Sequence, residues 1–428
     1  MEEQTYKYSK FNVIPSQSEN EVVIFNTISL KNATVPRELY NDIKDNSNID
    51  INEVPHFLLD LGILVLNSID ESEVFCAERN KDLAKKKVLE FCIAGTSKCN
   101  YNCIYCFERN ILGQLSDMDL TIQDATVDFI INECNKFSDL SVVQFSLFGG
   151  EPTLAPYVFK NIIGKLKSYF LDRKLSFYST ITTNGYYLTK ELVSDLKESC
   201  NLVSAQVTLD GLNPIYAKQK GCSLDSFDIV INNIKEICND INIQIRLNVS
   251  DNLDSLKELI TYLANLNIRI NMYFDDVRDY ETENIKFEEI YRKYVITAKQ
   301  LFDFIEQNNY QKLFLVQYNT NLRKCINCGA NTNKLYAIDT QGNLYKCLCS
   351  IFNQNEIVGT VYDGITNKEK ESIFINEPFK DSCRLCGYLP ICGGHCTYET
   401  IRLPNLNVCD SRRELLNQRI KHFLAQKN

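Results

Sequence analysis

Residues 88–106, VLEFCIAGTSKCNYNCIYC, join a strand-like run to three closely spaced cysteines, and this junction decides the fold. VLEFCIAG is short, apolar and closed by glycine, the pattern of a buried strand. Five comparable runs follow: SVVQFSLF (141–148), LSFYSTITT (175–183), LVSAQVTL (202–209), INIQIRLNV (241–249) and NIRINMYF (267–274). Helical patterns lie between them, such as TIQDATVDFIINECNKF (121–137), YVFKNIIGKLKSYF (157–170) and SFDIVINNIKEIC (226–238). Strands alternating with helices predict a parallel sheet. Six such units predict an α/β fold, a partial (β/α)6 TIM-type barrel over 86–310, with its chemistry at the C-terminal strand ends.

The flanking segments differ in character. Residues 1–85 read as a small α+β, winged-helix-like domain. KYSKFNVIPS and EVVIFNTIS form two strands around the turn QSEN, VPRELYNDIKDN and INEVPHFLLDLGIL are short helical stretches, and the acidic segment SIDESE closes the unit. After a charged helical stretch, KFEEIYRKYVITAKQLFDFIEQN, residues 311–428 are turn-rich and cysteine-rich, and end in a helix, ELLNQRIKHFLAQ. So short a core needs metal to hold it together.

Composition excludes several classes. With 44% hydrophobic and 24% charged residues the chain is globular rather than disordered or fibrous. Forty-six basic against 55 acidic side chains give a net charge of −9, which argues against a nucleic-acid partner. No apolar run reaches the ~18 residues of a membrane span, and the start MEEQTYKYSK has no apolar targeting region, so a cytoplasmic protein without a membrane partner is expected. In a reducing compartment 18 cysteines point to metal sites rather than disulfides.

Their distribution separates background from purpose. Cys76, Cys92, Cys134, Cys200, Cys222 and Cys238 are scattered singly and read as small buried side chains. Cys99, Cys103 and Cys106 have C-x₃-C-x₂-C spacing after the first barrel strand. Three thiolates on a cubane leave one iron open to a small molecule, whereas structural zinc takes four ligands.

With Tyr105 directly before the third cysteine, this motif resembles the signature of the radical S-adenosylmethionine (SAM) superfamily. Three further motifs carry the same resemblance in order: FGGEPTL with Gly149, Gly150 and Glu151; TTNG with Thr183, Asn184 and Gly185; and TLDG with Asp210 and Gly211. The resemblance implies that these strand ends, with Arg246 and Asn248 on the fifth strand, line a SAM pocket. It places Glu151 at the methionine amine, where a carboxylate accepts from an ammonium and glycines let the backbone approach. Where many relatives carry a His-Asp pair and then an arginine, this chain has Tyr216, Ala217 and Lys220. Lys220 or Arg246 is therefore the expected partner of the SAM carboxylate, and the sequence leaves that choice open.

The C-terminal cysteines, Cys328-x₁₃-Gly342-x₄-Cys347 and then C-x₂-C-x₅-C-x₃-C and Cys409, resemble the SPASM extension of the same superfamily. By that resemblance Cys383, Cys386, Cys392 and Cys409 hold a distal auxiliary cluster, and Cys328, Cys347 and Cys396 a nearer one. Its fourth position falls to Cys325 or Cys349, or stays open. His395 is read as a neighbour of Cys396 rather than a ligand. Three [4Fe–4S] clusters and SAM are thus the implied cofactors, with a ferredoxin or flavodoxin as electron donor.

The resemblance extends to function: an oxidoreductase that matures ribosomally made peptides. The N-terminal domain is similar to their peptide-recognition domains, which add a leader peptide to a sheet edge. A thioether from a cysteine sulfur is the expected product. Two alternatives stand beside it. Anaerobic sulfatase-maturating enzymes carry a basic aspartate directly after the cysteine matching Cys347 and usually begin near their barrel, whereas Leu348 stands here and some 85 residues come first. A metal-stabilised binding protein without catalysis is the other.

Overall fold

The computed structural model describes residues 5–426 other than 51, 53, 110, 251, 278–283, 320 and 377–378. They form two compact units. The first comprises Met1–Lys86, Tyr318–Asn331 and Glu377–Asn428, the second Lys87–Gln317 and Thr332–Asn376.

In the first unit β1 (Tyr6–Tyr8) leads into the antiparallel meander of β2 (Asn12–Gln17), β3 (Glu21–Asn26) and β4 (Lys31–Pro36), and β5 (Leu64–Leu66) returns to pair with β1. Strands β2 and β3 surround the turn expected from QSEN. The third strand, KNATVP, escapes sequence reading because lysine, asparagine and proline are poor strand formers. Among the described residues of INEVPHFLLDLGIL the α-helix runs over Phe57–Asp60: Gly62, at φ +73°, turns the chain, and Leu64 then enters β5. SIDESE does not close the unit but starts a 15-residue helix, Glu71–Lys85, capped by the Asp70 side chain accepting from the Ser72 amide.

The expected single domain over 311–428 is divided between the units. Val13 and Phe25 of the meander pack against Ile391 and against Leu416, Ile420 and Phe423 of the helix Cys409–Ala425. Thr27 Oγ1 donates to the Gly387 carbonyl at 2.6 Å. These apolar and polar contacts bind the C-terminal cysteine segment to the N-terminal strands.

The second unit holds the barrel. Its strands are β6 (Val88–Ala94), β7 (Val142–Phe148), β8 (Ser176–Thr183), β9 (Leu202–Leu209), β10 (Asn242–Val249) and β11 (Ile270–Asp276), parallel and adjacent in chain order. The expected six β/α units are present. Helix Pro156–Asp172 shows why they pack: it buries Val158, Phe159, Ile162, Ile163, Leu166 and Phe170, spaced to form one stripe. Each such side chain contributes roughly 1.5–3 kcal/mol by burial.

Past the barrel, β12 (Leu335–Ile338) joins the same sheet, parallel to β6 with Leu335 opposite Glu90 and Ile338 opposite Ile93. Strands β13 (Asn343–Tyr345), β14 (Gly359–Thr360) and β15 (Gly364–Ile365) extend it antiparallel. This pairing explains why Thr332–Asn376 belongs with the barrel.

Candidate active site

The cysteine loop is built on close backbone contact. After β6 the chain passes Thr96 and Lys98, whose carbonyls accept from the Gly150 amide at 2.9 Å and the Glu151 amide at 2.8 Å. A Cβ on Gly149 would lie 2.3 Å from the Thr96 oxygen, and one on Gly150 2.4 Å from the Lys98 oxygen. These glycines therefore let the loop after β7 approach the chain just before Cys99. On its other side the loop donates from Asn102 to the Lys220 carbonyl (3.1 Å) and from Ile104 to Gln219 (3.0 Å).

Cys99, Cys103 and Cys106 share the wall of one cavity of about 390 Å³ at the C-terminal strand ends. Burial pushes the Cys99 and Cys106 thiols up to about 12, so a metal must draw out the thiolates it binds. Among the described residues no three His, Cys, Asp or Glu side chains converge on a single-ion site. A soft three-thiolate donor set beside a ligand-sized cavity fits an iron–sulfur cluster.

Glu151 is 1% exposed and supplies a buried carboxylate to the cavity. Its Oε1 accepts from Thr153 Oγ1 and Thr183 Oγ1, both at 2.6 Å, and its Oε2 from the Asn184 amide at 2.8 Å. Burial raises its pKa while these donors pull it down. The carboxylate thus ties the end of β8 to the loop after β7 and presents an acceptor to the cavity.

The two candidate cations have different surroundings. The Lys220 ammonium donates to Tyr105 Oη at 2.6 Å and lies 3.2 Å from Asp210 Oδ2, both side chains of the ion pair being 3% exposed. Tyr105 in turn donates to Asp210. Burial lowers the Lys220 pKa and Asp210 raises it, with the net direction upward. Arg246 donates from Nε to Asn248 Oδ1 (2.9 Å) and from a terminal nitrogen to the Asp276 carbonyl (3.0 Å).

All nine expected pocket residues line the cavity: Tyr105, Gly149, Gly150, Glu151, Thr183, Asn184, Lys220, Arg246 and Asn248. Gly185, Asp210 and Gly211 do not line it; they shape the strand ends behind it. The sequence reading missed Phe107, Glu108, Gln206, Thr208 and Asp275 on the same wall, and Cys349, expected as a candidate cluster ligand, also lines it. Glu108 is buried, which pushes its carboxyl up to about 8. Its place two residues past Cys106 was the available signal.

The remaining cysteines separate by unit. In the first, Cys383, Cys386, Cys392 and Cys409 lie near enough to act on one another electrostatically. Cys328 is exposed, Cys396 half-buried, and Cys325 is buried among Phe11, Phe75 and Leu389. Cys347 and Cys349 belong to the second unit. His395 has Nδ1 3.2 Å from an Arg412 nitrogen and Nε2 2.9 Å from a Glu399 oxygen.

Residues 93–243 match the family model described as the radical SAM superfamily. The radical SAM cyclopropyl synthase TigE of Paramaledivibacter caminithermalis is 22% identical over 40% of this chain and 38% of its own. A cysteine-type anaerobic sulfatase-maturating enzyme of Clostridium perfringens is 22% identical over 70% of this chain and 86% of its own. The chain spans 38% and 52% of the lengths of the first two curated relatives it matches. Among solved structures, anSMEcpe with bound AdoMet superposes with a TM-score of 0.64 at 21% identity, covering 79% of this chain and 99% of that one. Streptococcus suis SuiB bound to its precursor peptide SuiA gives 0.50 at 16% identity, covering 94% and 98%. At these identities the likeness is one of fold, and it agrees with the barrel and its C-terminal extension.

Proposed function

We propose that this chain is a peptide maturase that modifies a ribosomally made precursor, joining a cysteine sulfur to a carbon as a thioether. The observation that carries the reading is the convergence of three cysteines and nine motif residues on one cavity. Cys99, Cys103 and Cys106 would hold the SAM-binding cluster, and Glu151 would accept from the ammonium of SAM. When bound, cluster and SAM supply a 5′-deoxyadenosyl radical that takes hydrogen from unactivated carbon. Phe107 and Phe148, stacked with centroids 6.4 Å apart, form an apolar stretch of wall that keeps water from such a centre. Cys383, Cys386, Cys392 and Cys409 would hold the distal auxiliary cluster. Cys328, Cys347 and Cys396 would hold the nearer one, with Cys325 or Cys349 as its fourth ligand or an open position.

The peptide reading draws on the first unit. In its meander β4 is an edge strand, suited to receive a leader peptide as a fourth strand. That a solved neighbour was captured with its precursor peptide is in keeping with this. Electrons would come from a ferredoxin or flavodoxin, and the work would be done in the cytoplasm. Among the described residues no helix is long and apolar enough to cross a membrane.

Sulfatase maturation is the second reading, favoured by the relative matched over 70% of this chain. Leu348, on the cavity wall, counts against it because leucine takes no proton. The test is anaerobic reconstitution with iron, sulfide and SAM, followed by incubation with short cysteine-rich peptides encoded beside the gene and with a sulfatase peptide. Loss of two hydrogens and a free thiol from the former supports the thioether. Formylglycine in the latter supports the alternative, and absence of SAM cleavage removes both.

A further inference from the structure

Lys220 occupies the position where the superfamily resemblance places a SAM-carboxylate cation, yet its ammonium is committed elsewhere. It faces Tyr105 Oη at 2.6 Å and Asp210 Oδ2 at 3.2 Å. Tyr105 stands between Cys103 and Cys106, so this contact fixes the cysteine loop from within. The backbone repeats the connection: Asn102 and Ile104 donate to the carbonyls of Lys220 and Gln219. Gly221, at φ +58°, lets the turn close, since a Cβ there would lie 2.4 Å from the Asn102 oxygen.

From this we infer that Lys220, Tyr105 and Asp210 form a positioning lock that holds the cysteine loop in its ligating shape, and that Lys220 is not the cation that binds the SAM carboxylate. The inference rests on the radical SAM reading of the cavity. A buried ammonium already facing a carboxylate and a phenol oxygen has no charge to spare for a third anion, and a short buried network of this kind resists rearrangement. Asp210 sits at the end of β9, so the lock references the loop to the sheet.

The test uses the full chain in two states. In the metal-free protein, amide hydrogen exchange is read at residues 101–106. Tyr105→Phe, which removes one hydroxyl and no charge, should speed exchange at Asn102 and Ile104 by about tenfold or more. Lys220→Met leaves Asp210 buried without its partner and is prone to misfold. The double variant Lys220→Met/Asp210→Asn therefore accompanies it and should show the same acceleration. In the reconstituted protein the double variant should keep its SAM dissociation constant within about threefold of the parent while the electron paramagnetic resonance of the reduced cluster changes. A tenfold or larger loss of SAM affinity with unchanged loop exchange would overturn the inference and make Lys220 the carboxylate clamp. A parent protein that binds no SAM would sink the functional reading instead, leaving the exchange result to decide the lock alone.

Discussion

Arg412 directs its Nε at the Sγ of Cys392 from 3.1 Å. Its other nitrogens reach the Cys392 carbonyl at 3.4 Å and His395 Nδ1 at 3.2 Å, and His395 stands 2.9 Å from the buried Glu399. A cationic donor on a sulfur withdraws electron density from whatever that sulfur ligates. With Cys392 as a cluster ligand, Arg412→Met is expected to lower that cluster's midpoint potential by on the order of tens of millivolts. A redox titration followed by electron paramagnetic resonance reads this directly, and an unmoved potential would remove Arg412 from the cluster's surroundings.

Glu151 carries two burdens. Glu151→Ala should weaken SAM binding by roughly 1.5–3 kcal/mol, the range of a charged hydrogen bond, which is about ten- to 150-fold. It should also lower the melting temperature, because Thr183 Oγ1 and the Asn184 amide lose a buried acceptor. Glu151→Gln, which keeps an oxygen but not the charge, should recover most of the stability and little of the affinity. Calorimetry and a thermal melt separate the two; equal SAM affinity in all three proteins would end the assignment.

Gly149 should tolerate no side chain. Its φ of +118° and the 2.3 Å approach of the Thr96 oxygen to any Cβ combine strain with a backbone clash. Gly149→Ala is expected to bind less iron at the first cluster while retaining iron elsewhere. Parent-like iron content after reconstitution would mean the two loops can move apart.

The edge strand β4 offers a test that leaves the fold intact. Adding the precursor peptide should slow amide exchange within residues 31–36 and leave the buried barrel strands unchanged. Deleting residues 1–85, the more obvious experiment, would strip Ile391, Leu416 and Phe423 of Val13 and Phe25. A peptide that is modified without protecting β4 would show that recognition lies elsewhere.

The sequence made the barrel and its cavity legible because their signals are local. Each strand is one apolar run, and each motif sits at the end of its own strand, so order along the chain became order around the cavity. What it hid depends on distant partners. Nothing in LNPIYAKQK says that Lys220 pairs with Asp210 and Tyr105. The placement of Leu348 and Cys349 on the wall follows from β12 pairing with β6, more than 240 residues apart, and parallel pairing has no short-range signature. The helix Glu71–Lys85 is a different failure: its acidic first turn looks like a solvated loop unless Asp70 is recognised as a cap.

That late pairing sets an order of construction. By the time Gln317 has been synthesised, the strands β6 to β11 and every motif from Cys99 to Asn248 exist, but Leu348 and Cys349 do not. A nascent chain halted there would display its cysteine loop in a vessel with one side missing. The side is added when the segment that carries Leu335–Ile338 emerges and settles beside β6. On the ribosome, then, this side of the chamber is the last to be synthesised, and the two residues that complete it, Leu348 and Cys349, directly follow Cys347.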